Sequence, residues 1–198
     1  QAATVSNAIQ AVLDDAGIDL TVQMDEEVAA RMVGQWFPEN STHRECLRLI
    51  AQAARCAMYI SREGVLTLEN LEVLNTPVDS LNGDNLYNYN GLKVEERVNT
   101  LCLQSKKFLS GEETNVDTTA TNKMQDEITK TVTVTNDIVY PDDAQNVANW
   151  LLKCYQRNMI FQQRWRGNPA MELGDTIAIY DVFGGENMAN VTKITLEY

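Results

Sequence analysis

The residues of this 198-residue chain best suited to chemistry are its single histidine, His43, and Cys46 three positions later. On a helix this spacing places both side chains near one face, as a thiol nucleophile with its base or half of a zinc site requires. A thiol enzyme also needs a third group that orients the imidazole, and a zinc site needs four ligands. The remaining cysteines are scattered and must converge in three dimensions to complete such a site. A surface histidine in the first turn of a helix is the simpler interpretation.

A second candidate is the segment from Asp79 to Asp84, which places oxygen side chains around Gly83. It lacks the spacing and the closing glutamate of an EF-hand calcium loop. Adjacent carboxylates such as Asp142 and Asp143 point apart on a helix or a strand, so they form no acid–base dyad by themselves. The sequence also has no phosphate-binding loop, nucleophile elbow or zinc-protease motif. We therefore predict no catalytic, cofactor-binding or metal-binding residue.

The clearest structural pattern runs from Thr42 to Leu68. Thr42 and Glu45 have the spacing of a capping box, which begins a helix. Apolar residues then recur at three- and four-residue steps, at Cys46, Leu47, Ile50, Ala53, Ala54 and Ala57. After Ala57 the period changes to two, on both sides of a turn at which Gly64 can take a positive φ. The pattern predicts one capped helix that packs on one tight hairpin.

Further helices and strands are predicted around this unit. Val5 to Ala16 is an amphipathic helix that ends at Gly17, and Asp25 to Val33 is a second, shorter helix. The most regular apolar pattern follows Pro141 and places a helix at residues 142–156. The predicted strands are residues 18–22, 92–103, 128–135, 158–166, 176–180 and 192–198.

These elements predict an α+β protein with two consecutive modules. Residues 1–74 form the helix–hairpin module, and residues 75–90 form a turn-rich connection. Residues 91–198 form an antiparallel, partly barrel-like sheet with one packed helix. Within this module, residues 106–127 are polar and are predicted to be an exposed loop. The large aromatic residues Trp36, Phe37 and Trp165 are assigned to the core by default, with an interface as the alternative.

The chain carries 28 acidic and 16 basic residues, a formal net charge of -12. This charge repels phosphate, so neither sequence-specific nucleic-acid binding nor binding to an anionic membrane surface is expected. No apolar run reaches the roughly 18 residues that a membrane helix needs. The cysteines form no CxxC pair, which favours reduced thiols over a disulfide framework. The first residue is Gln1 and the last residues form a predicted strand, so we expect the chain to be a piece of a longer polypeptide.

Two segments together resemble bacteriophage and prophage tail proteins. The first, FPENSTHRECLRLIAQAARCAMYISREGVLTL, joins a small-residue-rich helix beginning S/T-x-R-E/D-x-L to a hairpin with R-x-G at its tip. The second, DDAQNVANWLLKCYQRNMIFQQRWRGNPAMELGDTIAIYD, has a helix that ends near a tyrosine and an L-G-D turn before a strand. The matching positions are Thr42, Arg44, Glu45, Leu47, Ile50, Ala51, Arg62 and Gly64, and then Leu173, Gly174 and Asp175. Residues 106–127 have no counterpart in that pattern.

The resemblance implies a baseplate-hub or tail-tip component built from β-barrel-like and α/β modules, often as a trimeric ring. Such a protein acts through its surfaces, so no catalytic residue, metal or cofactor is carried over. Its expected partners are copies of itself and other tail proteins, and its expected location is the virion tail after synthesis in the host cytoplasm. Two other functions stay open. The chain could be part of a tail-associated peptidoglycan hydrolase or peptidase whose catalytic part lies elsewhere, or it could be a host-binding module.

Overall fold

The computed structural model describes residues 2–34, 36–70, 76–88, 91–109, 112–181 and 183–195. Helices and strands are both abundant in this part of the chain, so the predicted α+β class is confirmed. The helices are α1 (Val5–Ala16), α2 (Glu26–Ala30), α3 (His43–Ala53) and α4 (Ala144–Tyr155), the last preceded by a 3-10 turn at Pro141–Asp143. The strands are β1 (Ala2–Thr4), β2 (Val22–Met24), β3 (Met32–Gly34), β4 (Cys56–Ile60), β5 (Leu66–Asn70), β6 (Asp79–Leu81), β7 (Leu86–Asn88), β8 (Leu92–Val94), β9 (Thr100–Leu109), β10 (Glu112–Thr121), β11 (Thr131–Thr135), β12 (Met159–Phe161), β13 (Arg164–Trp165), β14 (Thr176–Tyr180) and β15 (Glu186–Asn190).

The strands form several small sheets. Three sheets have three strands, in the orders β2-β5-β4, β10-β9-β11 and β15-β14-β6, and each contains one parallel pair. The other pairs are β1-β3, β12-β8 and β13-β7. The antiparallel sheet predicted within residues 91–198 is divided among small sheets, and one of its pairs, β9-β11, is parallel. Parallel partners are joined by long connections that a local pattern does not reveal. No sheet of the described residues closes on itself, so the partly barrel-like arrangement is not confirmed.

The chain divides into two compact units, each made of two segments. The first unit comprises Gln1–Asn70 and Glu96–Asn158, and the second comprises Leu71–Glu95 and Met159–Tyr198. This division differs from the consecutive modules 1–74 and 91–198 that composition predicts. The difference arises because helices and strands from distant parts of the sequence share one core.

The core of the first unit joins helices α1 to α4 and three sheets. Its fully buried side chains include Ile9 of α1, Ile50 of α3, Leu68 of β5, Leu101 of β9 and Val147 of α4. The second unit has a smaller core, formed by Leu81, Met171, Ile177, Ile179 and Val191. Burial of apolar surface at about 25 cal/mol per Å² is the main stabilising contribution in both units.

The strongest local signals of the sequence form as predicted. Helix α1 has the predicted bounds and ends at Gly17, whose φ of 66° suits a residue without Cβ. In α3 the side chains of Thr42 and Glu45 make the reciprocal hydrogen bonds of a capping box. Strands β4 and β5 make the predicted hairpin, with Gly64 at a φ of 78°. Strand β14 and helix α4 also lie where their patterns place them.

The polar segment 106–127 is the largest error of the sequence-based prediction. Most of it lies in β9 and β10, which pair in antiparallel register over ten residues each, rather than in an exposed loop. Threonine supplies much of β10, and threonine favours strands although it is polar. A strand whose outer face meets water shows little apolar periodicity, so the pattern gave no strand signal.

Other element bounds are also corrected. Residues 92–103 and 158–166 are each interrupted, and the strand at 18–22 moves to Val22–Met24. The helix at 25–33 shortens to Glu26–Ala30, followed by β3. The last strand is Glu186–Asn190 rather than 192–198, of which residues 192–195 are not a strand and 196–198 lie outside the described residues. The Asp181 carboxylate holds the turn before this strand, because it accepts hydrogen bonds from the amides of Phe183 and Gly185.

Candidate functional site

The structure separates the two members of the His43–Cys46 pair. His43 is exposed, and its Nε2 lies 2.9 Å from the Oδ2 of Asp15 on α1. Cys46 is buried in the core, and burial raises the pKa of its thiol. A protonated thiol in an apolar environment is a poor nucleophile and a poor metal ligand. The local geometry therefore suits a contact between α1 and α3 rather than catalysis.

The Asp79–Asp84 segment uses its oxygen atoms within the protein. The Asp79 carboxylate accepts hydrogen bonds from the backbone amide of Ser80 at 2.7 Å and from Asn168 Nδ2 at 2.7 Å. Asn82 Oδ1 accepts from the amide of Asp84 at 2.9 Å. These bonds shape a turn, and no group of three potential metal ligands occurs among the described residues.

The four cysteines are free thiols. Cys46 and Cys56 are buried, and Cys102 and Cys154 are partly buried. Burial also raises the pKa of Cys154, and it raises that of Cys56 to about 11. The thiols therefore pack as small apolar side chains in the first unit.

The three aromatic residues singled out by the sequence have different surroundings. Phe37 packs against the core of the first unit, and Trp165 packs against the core of the second. Trp36 is 56% exposed, so the default assignment to the core is wrong for this residue. Composition does not reveal that Trp36 is exposed while its neighbour Phe37 is partly buried against the core.

Two polar residues that the sequence did not single out hold the end of α3. Arg31 donates a hydrogen bond to the carbonyl oxygen of Ala54 and pairs with Glu27 at 3.0 Å. The fully buried Asn136 donates from Nδ2 to the carbonyl oxygen of Leu49 at 3.0 Å. The Ala54 carbonyl belongs to the C-cap residue of α3 and has no partner within the helix, so the bond from Arg31 satisfies it. The bond from Asn136 adds a second contact to the last turns of α3. No sequence motif marks either residue, because both act across long sequence separations.

The first unit has a groove between α3, β4 and α4. It has a volume of about 550 Å³ and is mainly apolar. Helix α3 contributes Arg44, Leu47 and Arg48 to its lining. Met58 and Ile60 come from β4, and Trp150 comes from α4. We call this surface the groove.

Charge is distributed unevenly along the groove. Arg44 and Arg48 are exposed and lie one helical turn apart, and neither forms a salt bridge within the described part of the chain. Ile60 is 54% exposed although it is large and apolar. In a protein of net charge -12, the groove thus combines an apolar floor with a local positive rim. This arrangement suits the binding of an apolar segment with acidic neighbours more than it suits chemistry.

A second exposed apolar surface lies on the β8–β12 ribbon of the second unit. Val94 pairs with Met159 across the two strands, and Leu92 pairs with Phe161, so these four side chains share one face. Leu92, Val94 and Met159 are 50%, 59% and 55% exposed. We call these three side chains the ribbon face. Apolar side chains clustered in this way often mark an interaction surface.

No protein-family model and no curated protein sequence matches the chain. Solved structures do match. A tail protein from Neisseria meningitidis MC58 matches with a TM-score of 0.67 and 14% identity, over 95% of this chain and 60% of that protein. The 43 kDa tail protein of prophage MuSo2 from Shewanella oneidensis matches with a TM-score of 0.60 and 14% identity, over 93% of this chain and 55% of that protein.

A third match is a chain of the virion of a native gene transfer agent particle. Its TM-score is 0.71 at 12% identity, and the match covers 98% of this chain and 45% of that one. The chain thus spans between 45% and 60% of the length of these proteins. Among the described residues, no helix has the length and apolar character to cross a membrane. Over 93% to 98% of its length, the chain shares the fold of these two tail proteins and of the chain from the gene transfer agent virion.

Proposed function

We propose that this chain is a structural component of a phage or prophage tail, at the baseplate hub or tail tip. It acts by oligomeric assembly with copies of itself and with other tail proteins rather than by catalysis. The observation that carries this proposal is the fold match, which extends over 93% to 98% of the chain in all three comparisons. Two of the matched proteins are described as tail proteins and the third belongs to a virion, which supports a location in the virion tail.

The distribution of surface side chains supports a role in assembly. The groove and the ribbon face expose apolar side chains on the surface, which is typical of proteins that bury surface against a partner. The thiols of Cys46 and Cys56 have a raised pKa and are therefore poor nucleophiles. The oxygen atoms of the Asp79–Asp84 turn accept hydrogen bonds from within the protein, which makes them less suited to bind a substrate. The proposal therefore assigns the function to surfaces.

The test is the location of the product in a strain that carries the gene. Particles purified after induction are examined by mass spectrometry and by immunogold labelling, and a deletion strain is examined by electron microscopy. We expect the protein in the particles, labelled at one end of the tail, and we expect the deletion strain to produce no complete tails. Normal tails in the deletion strain, or particles without the protein, contradict the proposal.

The alternative of a tail-associated hydrolase is tested separately. The purified chain is incubated in a zymogram gel that contains peptidoglycan, with lysozyme as the positive control. We expect no cleared band from this chain. A cleared band assigns a lytic activity to these residues and overturns the non-catalytic proposal.

A further inference from the structure

Helix α3 has one face in the core and a second face in the groove. Leu49, Ile50 and Ala53 are buried in the core of the first unit. The opposite side of the helix lines the groove at three- and four-residue steps, through Arg44, Leu47, Arg48, Ala51 and Gln52. Because both arginines are exposed and Leu47 is only half-buried, this second face is open.

Strand β4 borders the groove with an edge that has no strand partner among the described residues. It is the outer strand of the order β2-β5-β4. The amide of Ser61 donates to the carbonyl oxygen of Val65 at the start of the antiparallel ladder between β4 and β5. Because hydrogen-bonded pairs alternate along such a ladder, the amide and carbonyl groups of Met58 and Ile60 point away from β5. One side of the groove therefore offers a row of backbone donors and acceptors.

The positive charge lies toward one end of the groove. Residues 54–55 alone join α3 to β4, so the strand runs back along the helix. This direction brings Ile60 to the Arg44 end of the groove and Cys56 to the Gln52 end. None of the described residues that line the groove is acidic. The groove therefore has no carboxylate of its own in its lining to compensate the arginines.

Glu45 is the acidic residue closest in sequence to both arginines, and it is engaged elsewhere. Its carboxylate accepts hydrogen bonds from the backbone amide and the hydroxyl of Thr42, at 2.8 and 2.9 Å, in the cap of the helix. These hydrogen bonds are the main reason that the pKa of Glu45 is lowered, and the attraction of Arg48 is a smaller one. The guanidinium groups of Arg44 and Arg48 are therefore available to carboxylates of a partner.

We propose that the groove binds an extended peptide segment of another tail protein, which adds as a strand to β4. The segment lies antiparallel to β4, so its first residues are the ones nearest to Arg44. These leading residues are acidic and pair with Arg44 and Arg48. Apolar side chains follow at alternate positions and rest on Leu47, Met58 and Trp150. This inference deepens the proposed function, on which it rests, by naming the chemistry of a partner.

The ladder determines which amides of the bound segment form hydrogen bonds. In a hydrogen-bonded antiparallel pair, the two opposite residues place their side chains on the same face of the sheet. Residues opposite Met58 and Ile60 therefore point their side chains to the face that Met58 shares with the buried Leu68. The apolar residues of the segment thus carry the bonding amides, and the residues between them have amides that point away.

The test measures binding of the synthetic peptide acetyl-EEVTVTV-amide to the purified 198-residue chain by isothermal titration calorimetry. We expect saturable binding of one peptide per chain. Hydrogen–deuterium exchange followed by NMR locates the peptide. We expect slower exchange of the Met58 and Ile60 amides in the complex, and little change at Tyr59, whose amide faces β5.

N-methylation of the peptide separates strand addition from recognition of side chains alone. Methyl groups on the valine amides remove the donors that face β4, so we expect the affinity to fall at least about tenfold. Methyl groups on the threonine amides leave those donors intact, so we expect a change of less than about threefold. Equal affinities of the two methylated peptides would be the behaviour of a site for anionic amphiphiles, and they overturn the proposal.

Charge-reversal variants test the role of the arginines. Arg44→Glu with Arg48→Glu is expected to weaken binding of this peptide at least about tenfold and to strengthen binding of acetyl-KKVTVTV-amide. The gain with the second peptide shows that the variant is folded. Arg166→Glu with Lys193→Glu makes the same change in net charge at exposed positions of the second unit, and it is expected to bind both peptides like the wild type.

Three further outcomes also overturn the proposal. They are the absence of saturable binding to the wild type, equal affinity of acetyl-EEVTVTV-amide for the wild type and the arginine variant, and equal affinity of the wild type for the reversed peptide acetyl-VTVTVEE-amide. Sedimentation of the chain alone tests another occupant, since a wild-type dimer that the arginine variant does not form assigns the groove to a second copy and overturns the proposal. All these measurements are independent of particle composition, so their failure is distinguishable from a failure of the proposed tail function.

Discussion

At the scale of single residues, folding raises the pKa of the buried cysteine thiols. Desolvation raises the pKa of Cys56 from 9.0 to about 11, against a smaller opposite effect of Arg31 and Arg55. The folded state therefore holds its proton more tightly than the unfolded chain does. The stability that this group contributes is fully present below the unfolded pKa and is lost as the pH rises through the folded value.

We therefore expect the free energy of unfolding to fall between about pH 9 and pH 11, and to fall less steeply in Cys56→Ala. The measurement is urea unfolding at closely spaced pH values, followed by circular dichroism. Tyrosine and lysine also titrate in this range, so the informative quantity is the difference in slope between variant and wild type. Equal slopes would show that Cys56 is not held protonated by folding.

At the scale of elements, α4 connects two parts of the first unit's core. Its buried face packs on β9 and β10, and the same core includes α1 and α3. We expect Leu152→Ala to reduce the free energy of unfolding by roughly 2–5 kcal/mol, because it leaves a cavity in a core that cannot fully collapse.

The matched control is the next residue, Lys153, which is exposed on the same helix. We expect Lys153→Ala to change the free energy of unfolding by less than about 0.5 kcal/mol. Chemical denaturation of both variants checks the pair. Similar losses for both would mean that α4 is not held by its apolar face.

At the scale of the whole molecule, the division into units has a direct consequence. The core of the first unit contains Ile9 and Ile50, which precede residues 71–95 in sequence, and Leu101 and Val147, which follow them. Residues 71–95 belong to the second unit. A fragment of residues 1–74 leaves much of this apolar surface exposed. We expect it to show no cooperative unfolding transition in urea when it is produced alone.

Addition of residues 91–198 to that fragment is expected to restore a cooperative transition, because the missing half of the core returns. Circular dichroism during urea titration, with and without the second fragment, measures this. A cooperative transition for residues 1–74 alone would instead support an independent helix–hairpin module.

Local patterns predicted the parts of the fold that local physics controls. Gly17 ends α1 because its positive φ favours glycine, and the Thr42–Glu45 box begins α3 because both partners lie within one turn. The sequence predicted α3 and β4, which line the groove, but it did not predict the groove itself. Its existence depends on where Trp150 of α4 lies relative to the α3–β4 unit, and no spacing in the sequence encodes that distance.

By itself, the sequence determined the α+β class, the helices α1, α3 and α4, the hairpin of β4 and β5, and the resemblance to tail proteins. Each of these rests on contacts within a few residues or on a motif in chain order. Only the tertiary structure decided the parallel strand pairs, the strands within 106–127, the two interleaved units, and the exposure of Trp36 and the ribbon face. These features depend on pairings between distant residues, for which many alternatives have similar local energies, so only the packing of the whole chain selects among them.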